Sequence, residues 1–435
     1  MNMLNHRIKT PLRHLRGWFA GNPSAPSATL PVAPLATPSL RRISAQGRPA
    51  PARDLLQIAC PDPTAEDQLR DRHQSRARHL VRQERWHDLS ALIREADRTR
   101  RLTPGALAVA DLMAYGARAD VVLAAEHALL AGSPEPGAPL QAGIEALEHV
   151  LSEHRDDYVV TCIVAQSHMD VAWAWRGTGW DVEVPISNRE AFEAHFDRAA
   201  QIMQAPCVSD LQTPLIATTA CALLGGTDAG RRGVADRYGA LIDLNPANPR
   251  PMRAMGNHLL PRWHGSYEEL DCAARRTAAR CAHVWGAGGY TWVQFDAISR
   301  DDRACANLDL AFFIEGLRDI LKRRPDPYTA NLLAAYCGNA IGQSFSGDDR
   351  ADHVRSQIAE CTGWIVRDHL TELHPMIWAH AARGFDSNLR IHSPNRFAAA
   401  GREDALRIIT ALFKREIAAG QRIVFTGSGA TALAA

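Results

Sequence analysis

Residues 234–246 read VADRYGALIDLNP, and the spacing of the large side chains in this stretch decides the fold class. Val234, Tyr238 and Leu241 follow one another at intervals of four and three, which places them on one face of an α-helix. Pro246, five residues further on, cannot continue that helix.

The same period runs through most of the chain on either side. Leu89, Leu92, Ile93 and Ala96 share a helical face, as do Leu107, Ala110, Met113 and Ala114 after the start signal Thr103-Pro104. Further helices are predicted over 121–130, 144–151, 158–175, 190–203, 215–224, 267–284, 308–321, 328–341, 352–370 and 404–419, with glycine and proline between them. Residues 158–164 and 422–426 are the strand-like pieces. The first follows Asp156-Asp157, a helix-capping pair, and is read as helix. The chain is therefore expected to be all-α, built of short antiparallel helices.

A repeated unit is visible within this pattern. Phe192, Phe196 and Ala199 reproduce the four-and-three spacing, and Leu270, Ala274 and Thr277 do so again. Gly256 sits among Met252, Met255 and Leu259, and Gly265-Ser266-Tyr267-Glu268-Glu269 follows; Ala165 and His168 hold comparable places ahead of Phe192. These features resemble a degenerate tetratricopeptide repeat over roughly Asp157 to Val284. In that family a small residue in the first helix lets paired helices approach closely, and an aromatic, a small residue and a proline close the second. The 34-residue period breaks down, because the Gly256 to Tyr267 interval is two residues too long. The resemblance implies antiparallel hairpins stacked as an α-solenoid with a concave face. By alignment to Ala165 and Gly256, that face would be lined by Gln166, Asp170, Arg253 and Asn257, exposed and contacting a peptide. Asn257 would bond an extended backbone and Arg253 a carboxylate.

Composition narrows the function. The chain has 435 residues, 46% of them hydrophobic and 22% charged, with 49 basic against 48 acidic side chains. A net charge of +1 provides no field to draw nucleic acid, and no apolar stretch approaches the roughly 18 residues of a membrane-spanning helix. Nine cysteines without a C-x-x-C pair read as small buried residues in a reducing compartment, and a cytoplasmic location is expected. All but three of the basic residues are arginine, an association with GC-rich bacterial genomes. Residues 1–53 carry eight basic and no acidic side chains and 8 of the 25 prolines, leaving −7 on the remainder. They are expected to be a disordered arm, whose basic amphipathic start around Leu4, Ile8, Leu12 and Leu15 reads as a frayed tail or as a segment touching a membrane surface or a partner.

No cofactor fingerprint is present. Gly225-Gly226-Thr227 lacks the lysine of a phosphate loop, and Gly286, Gly288 and Gly289 follow a helix where a dinucleotide fingerprint would follow a strand; both are expected to be loops. His168-Met169-Asp170-Val171-Ala172-Trp173 resembles the metal site of retaining α-mannosidases, in which the histidine and aspartate bind zinc. On a helix, however, His168 and Asp170 face different ways. His369, His374 and His380 lack the spacing of a zinc helix and read as structural. The aromatics Trp173, Trp175, Trp180, Trp263, Trp285, Tyr290 and Trp292 are expected mainly to pack loops onto the helices.

The expected organisation is thus an arm (1–53), an N-terminal helical region (54–156), repeat-like hairpins (157–285), a C-terminal helical region (286–420) and a tail (421–435). The expected function is a non-catalytic scaffold binding a protein or peptide segment. The alternative is a metal-dependent, glycosidase-like hydrolase using His168 and Asp170.

Overall fold

A computed structural model describes residues 55–129, 134, 140–177, 184–209, 211–226, 233–385, 391 and 393–434. The expected arm, Trp180, and the Thr227–Gly230 part of the glycine-rich stretch lie outside these residues. Among the described residues the chain is mostly helical, with twenty α-helices and three short strands. No described helix is long and apolar enough to cross a membrane.

Helices α1 (Ala65–Arg82), α2 (Trp86–Arg98), α3 (Val109–Ala128), α4 (Ala142–Glu153), α5 (Tyr158–Arg176) and α6 (Ile186–Ile202), with the single turn α7 (Pro206–Ser209), surround one apolar cluster. Its centre includes Ile93, Ile163, Val164 and Phe196. Helix α8 (Pro214–Ala222) is shared, giving Leu215 and Ile216 to this cluster and Cys221 to the next.

The second cluster is built by α9 (Val234–Leu244), α10 (Arg250–His258), α11 (Tyr267–Arg280), α12 (Ala282–Trp285), α13 (Gly288–Arg300), α14 (Asp302–Ala306) and α15 (Leu310–Arg323). It continues through α16 (Pro327–Ala335), α17 (Asp349–Asp368), α18 (Pro375–Ala381), α19 (Pro394–Leu412) and α20 (Lys414–Ala418). The apolar interior therefore divides within α8.

The sequence accounts for several boundaries. Thr64 Oγ1 accepts from the Asp67 backbone N–H at 3.1 Å while Asp67 reaches back to the Thr64 N–H, a capping box that opens α1. Asp157 Oδ1 accepts from the Val159 N–H at 2.9 Å, so the β-branched run 158–164 is helix. The separate expectations over 107–114 and 121–130 merge into α3, because no breaker stands between them except Gly116. That glycine lets α3 lie against α1: a Cβ there would meet the Gln74 carbonyl oxygen at 2.3 Å.

Two readings are corrected. Gly286 turns the chain at φ +57°, but Gly288 and Gly289 lie inside α13, not in a loop, where a Cβ would crowd Ile320 and the Ala278 backbone. Close packing, not nucleotide binding, accounts for them. The tail is a β-hairpin: β2 (Gln421–Thr426) pairs antiparallel with β3 (Gly429–Ala434) and parallel with β1 (Leu56–Gln57). Ile423 and Phe425 bury their side chains beside Phe413, while Arg422 and Val424 are half-buried.

Candidate functional site

Helix α5 carries Gln166, Met169, Asp170 and Trp173 at intervals of three, one and three, a single stripe down one side. That stripe faces a cavity where the two apolar clusters meet. The opposite walls come from Asp111 and Arg118 on α3, Thr218, Cys221 and Ala222 on α8, Tyr238 and Leu241 on α9, and Arg250, Pro251, Ala254 and His258 on α10. The cavity holds about 740 Å³ of atom-free space, its open mouth included.

Charge is arranged unevenly around it. Arg118 is 1% exposed, and its Nε donates to Asp170 Oδ2 at 2.7 Å. One terminal nitrogen of Arg118 is buried without a hydrogen-bond partner. Arg250 supplies a second guanidinium, whose charge is disfavoured by burial and by the nearby Arg70 and Arg253. Burial also pushes Asp111 up to about 7, against the opposing pull of Arg250 and Arg118.

The neutral polar groups are partly satisfied. Gln166 Nε2 donates to Thr219 Oγ1 at 2.8 Å, but its Oε1 is buried without a partner. His258 Nδ1 pairs with the Tyr238 hydroxyl at 3.0 Å, and its Nε2 has no partner. Burial lowers His258 to about 3, so its ring is neutral.

The four positions expected to be exposed are not. Gln166 and Asp170 are recessed in the cavity wall, as described. Arg253 is clamped through two hydrogen bonds, at 2.9 and 2.8 Å, to Asp296 of α13 and lies 4.5 Å from the centre of the Phe295 ring. Asn257 is wholly buried, and its Oδ1 accepts from Arg262 and Arg300 at 3.3 and 3.4 Å. The physical reason is that α13 packs on α10 over this face, so Arg253 and Asn257 stand apart from the cavity described above and serve internal pairing.

His168 and Asp170 diverge. His168 Nε2 donates to Glu148 Oε1 at 2.9 Å, and Glu148 is held in turn by Arg198 at 2.7 and 2.6 Å. Because the carboxylate only accepts, the neutral His168 ring carries its proton on Nε2, and Nδ1 accepts from His195 Nδ1 at 2.9 Å. Both His168 nitrogens are thus engaged on the α4 and α6 side, whereas Asp170 meets Arg118 on the other. Among the described residues no group of three or more His, Cys, Asp or Glu side chains could hold a metal ion. His374 pairs with Glu372 at 2.8 Å, while His369 and His380 stack edgewise on Trp364 and Phe397. The tryptophans Trp173, Trp285 and Trp292 pack within the interior.

The cavity residues outside α5 were not read as a site from sequence. A signal was present in α5, where two polar residues, Gln166 and Asp170, share the stripe of Met169 and Trp173. The basic half comes from Arg118 and Arg250, 52 and 80 positions away from Asp170, and nothing local links them.

No family model, curated protein or solved structure matches this chain.

Proposed function

We propose that the chain is a non-catalytic binding protein whose working site is the cavity between α3, α5, α8, α9 and α10. One observation carries the reading: Arg118, Gln166 and His258 all line one recess, and each has a buried polar atom without a hydrogen-bond partner. Leaving such an atom unpaired costs about 1–3 kcal/mol, a cost that an occupant able to pair with it removes. Pockets of this kind, apolar with a few convergent polar groups, favour the meeting of two cores. Here Met169, Trp173 and Leu241 supply the apolar surface.

The scaffold is read as a tetratricopeptide-like stack. Gly256, where a Cβ would lie 1.7 Å from the Val293 carbonyl oxygen, permits a close approach of α10 to α13, which would be the next hairpin of such a stack, and not to the adjacent α11. Of the positions expected to touch a peptide, Gln166 and Asp170 line the cavity, Asp170 already paired with Arg118. A protein partner would therefore insert one short group there.

The test is a fragment screen by ligand-observed NMR on the whole chain and on two cavity-filling variants, Ala254→Phe and Ala222→Leu. Fragments that compete with one another in the parent and lose binding in either folded variant support the reading. Binding that is indifferent to both variants overturns it.

A further inference from the structure

Resting on that reading of the cavity, we infer that its occupant is a small organic monoanion, a carboxylate whose charged end meets Arg118 and whose apolar body lies against Met169, Trp173 and Leu241. The alternatives are a neutral molecule and a cation, and the geometry discriminates among them. Asp170 already accepts from Arg118 Nε, which commits it to an internal pair, while the same guanidinium keeps a terminal nitrogen buried and unpartnered. A planar guanidinium with an unused N–H edge matches a carboxylate oxygen.

The wider charge balance points the same way. Arg118 stands in the wall with Asp170 and Asp111, and Arg250 is close enough to oppose the rise of Asp111. Burial raises Asp111 toward neutrality, so near pH 7 the wall carries less than two negative charges. An incoming ammonium would have to take Asp170 from Arg118 or ionise Asp111 in a buried place, and both cost free energy. An incoming carboxylate takes the unused edge of Arg118 without displacing Asp170. Gln166 and His258 remain to orient neutral polar groups of the same ligand. The Trp173 and Met169 walls of this recess suit an occupant of one ring or a short chain.

Isothermal titration of the whole chain with phenylacetate, phenylacetamide and phenethylamine, repeated with hexanoate, hexanamide and hexylamine, separates charge from shape. The expected result is that a carboxylate binds at least tenfold more tightly than its amide and amine. That preference should fall at least tenfold in Arg118→Gln, and binding should be lost in Ala254→Phe. Because Arg118→Gln removes a buried ion pair, its fold is checked by circular dichroism, and Arg118→Lys is measured beside it. Lysine keeps the charge without the planar fork and should recover part of the preference. An amide or amine that binds as well as the acid, yet is lost in Ala254→Phe, overturns the anion assignment and leaves the cavity reading intact. Carboxylate binding unchanged by Ala254→Phe and Ala222→Leu overturns both. No heat from either acid at millimolar concentration overturns the anion assignment alone.

Discussion

Arg118 on α3 and Asp170 on α5 are joined by a 2.7 Å ion pair, with the guanidinium 1% exposed and the carboxylate side chain 16% exposed. The pair ties two helices of the first apolar cluster together at the rim of the cavity. Removing one partner of a buried pair leaves the other uncompensated, which costs about 3–5 kcal/mol. Asp170→Asn is expected at the lower end of that range, since the cavity lets some water reach the site. Replacing both residues, as Arg118→Met with Asp170→Leu, should cost less than the sum of the single changes by about 0.5–3 kcal/mol. Urea unfolding of the four proteins measures this coupling, and strict additivity would contradict it.

Gly256 and Gly363 are both mid-helix glycines in opposite environments. A Cβ at 256 would stand 1.7 Å from the Val293 carbonyl oxygen, whereas at 363 the nearest atom is the Leu412 Cδ2 at 4.0 Å. Gly256→Ala must push α10 from α13 and is expected to destabilise by about 1–3 kcal/mol or more. Gly363→Ala should stabilise by about 0.4–1 kcal/mol, because alanine loses less backbone freedom on folding. Thermal melts with opposite shifts would bear this out; two shifts of the same sign would not.

These contrasts also mark what a single sequence discloses. A helix start was legible where its cause is local, as at the Asp157 cap. The Thr103-Pro104 signal opened no helix, because the Thr103 hydroxyl bonds Glu66 and accepts from the Leu107 N–H in a turn, and α3 begins only at Val109 with no side-chain cap. The strand-like piece 422–426 was legible in sequence and lies within the strand Gln421–Thr426, but its partner Gly429–Ala434, rich in alanine and glycine, has no such pattern. It takes its form from pairing with β2. Burial of charge was not legible. Arg253 looks like a surface residue until Asp296 is brought to it from 43 positions away, and Asn257 until Arg300 arrives from the same distance. The cavity shares that character, since each wall is an ordinary helix face and only their meeting makes a site.

Asp111 gives the cavity a measurable pH signature. Its carboxyl is raised from 3.8 to about 7, chiefly by burial. Below pH 3.8 both folded and unfolded chains hold the proton, and its full contribution to stability is present. As pH rises from there to about 7, the unfolded chain ionises first and stability is lost, by up to about 4 kcal/mol over some three pH units. Asp111→Asn removes the titration. Its stability relative to the parent should therefore grow between pH 4 and pH 7 and level off above that. Denaturant midpoints at pH 4.5, 6 and 8 give the comparison, and a difference independent of pH would refute the assignment.

His195 titrates with the opposite sign. Burial, with the neighbouring His168 adding to it, lowers its pKa from 6.5 to about 4, and its Nδ1 donates to His168 Nδ1. Above pH 6.5 the ring is neutral in both states and stability is complete. As pH falls from 6.5 toward 4, the unfolded chain takes up a proton that the folded chain refuses, and stability is lost at up to about 1.4 kcal/mol per pH unit. His195→Gln keeps a donor for His168 and removes the titration, so the loss of stability between pH 7 and pH 5 should be smaller in the variant. It should not vanish, because His168 and His258 are also lowered by burial and act in the same direction. Glu148, held below the usual carboxylate range by its hydrogen bond to Arg198, changes its contribution only beneath about pH 4.5 and leaves this window undisturbed. Urea unfolding at pH 7, 6 and 5 measures the slope; an unchanged slope in His195→Gln would show that the Glu148–His168–His195 chain does not hold His195 neutral.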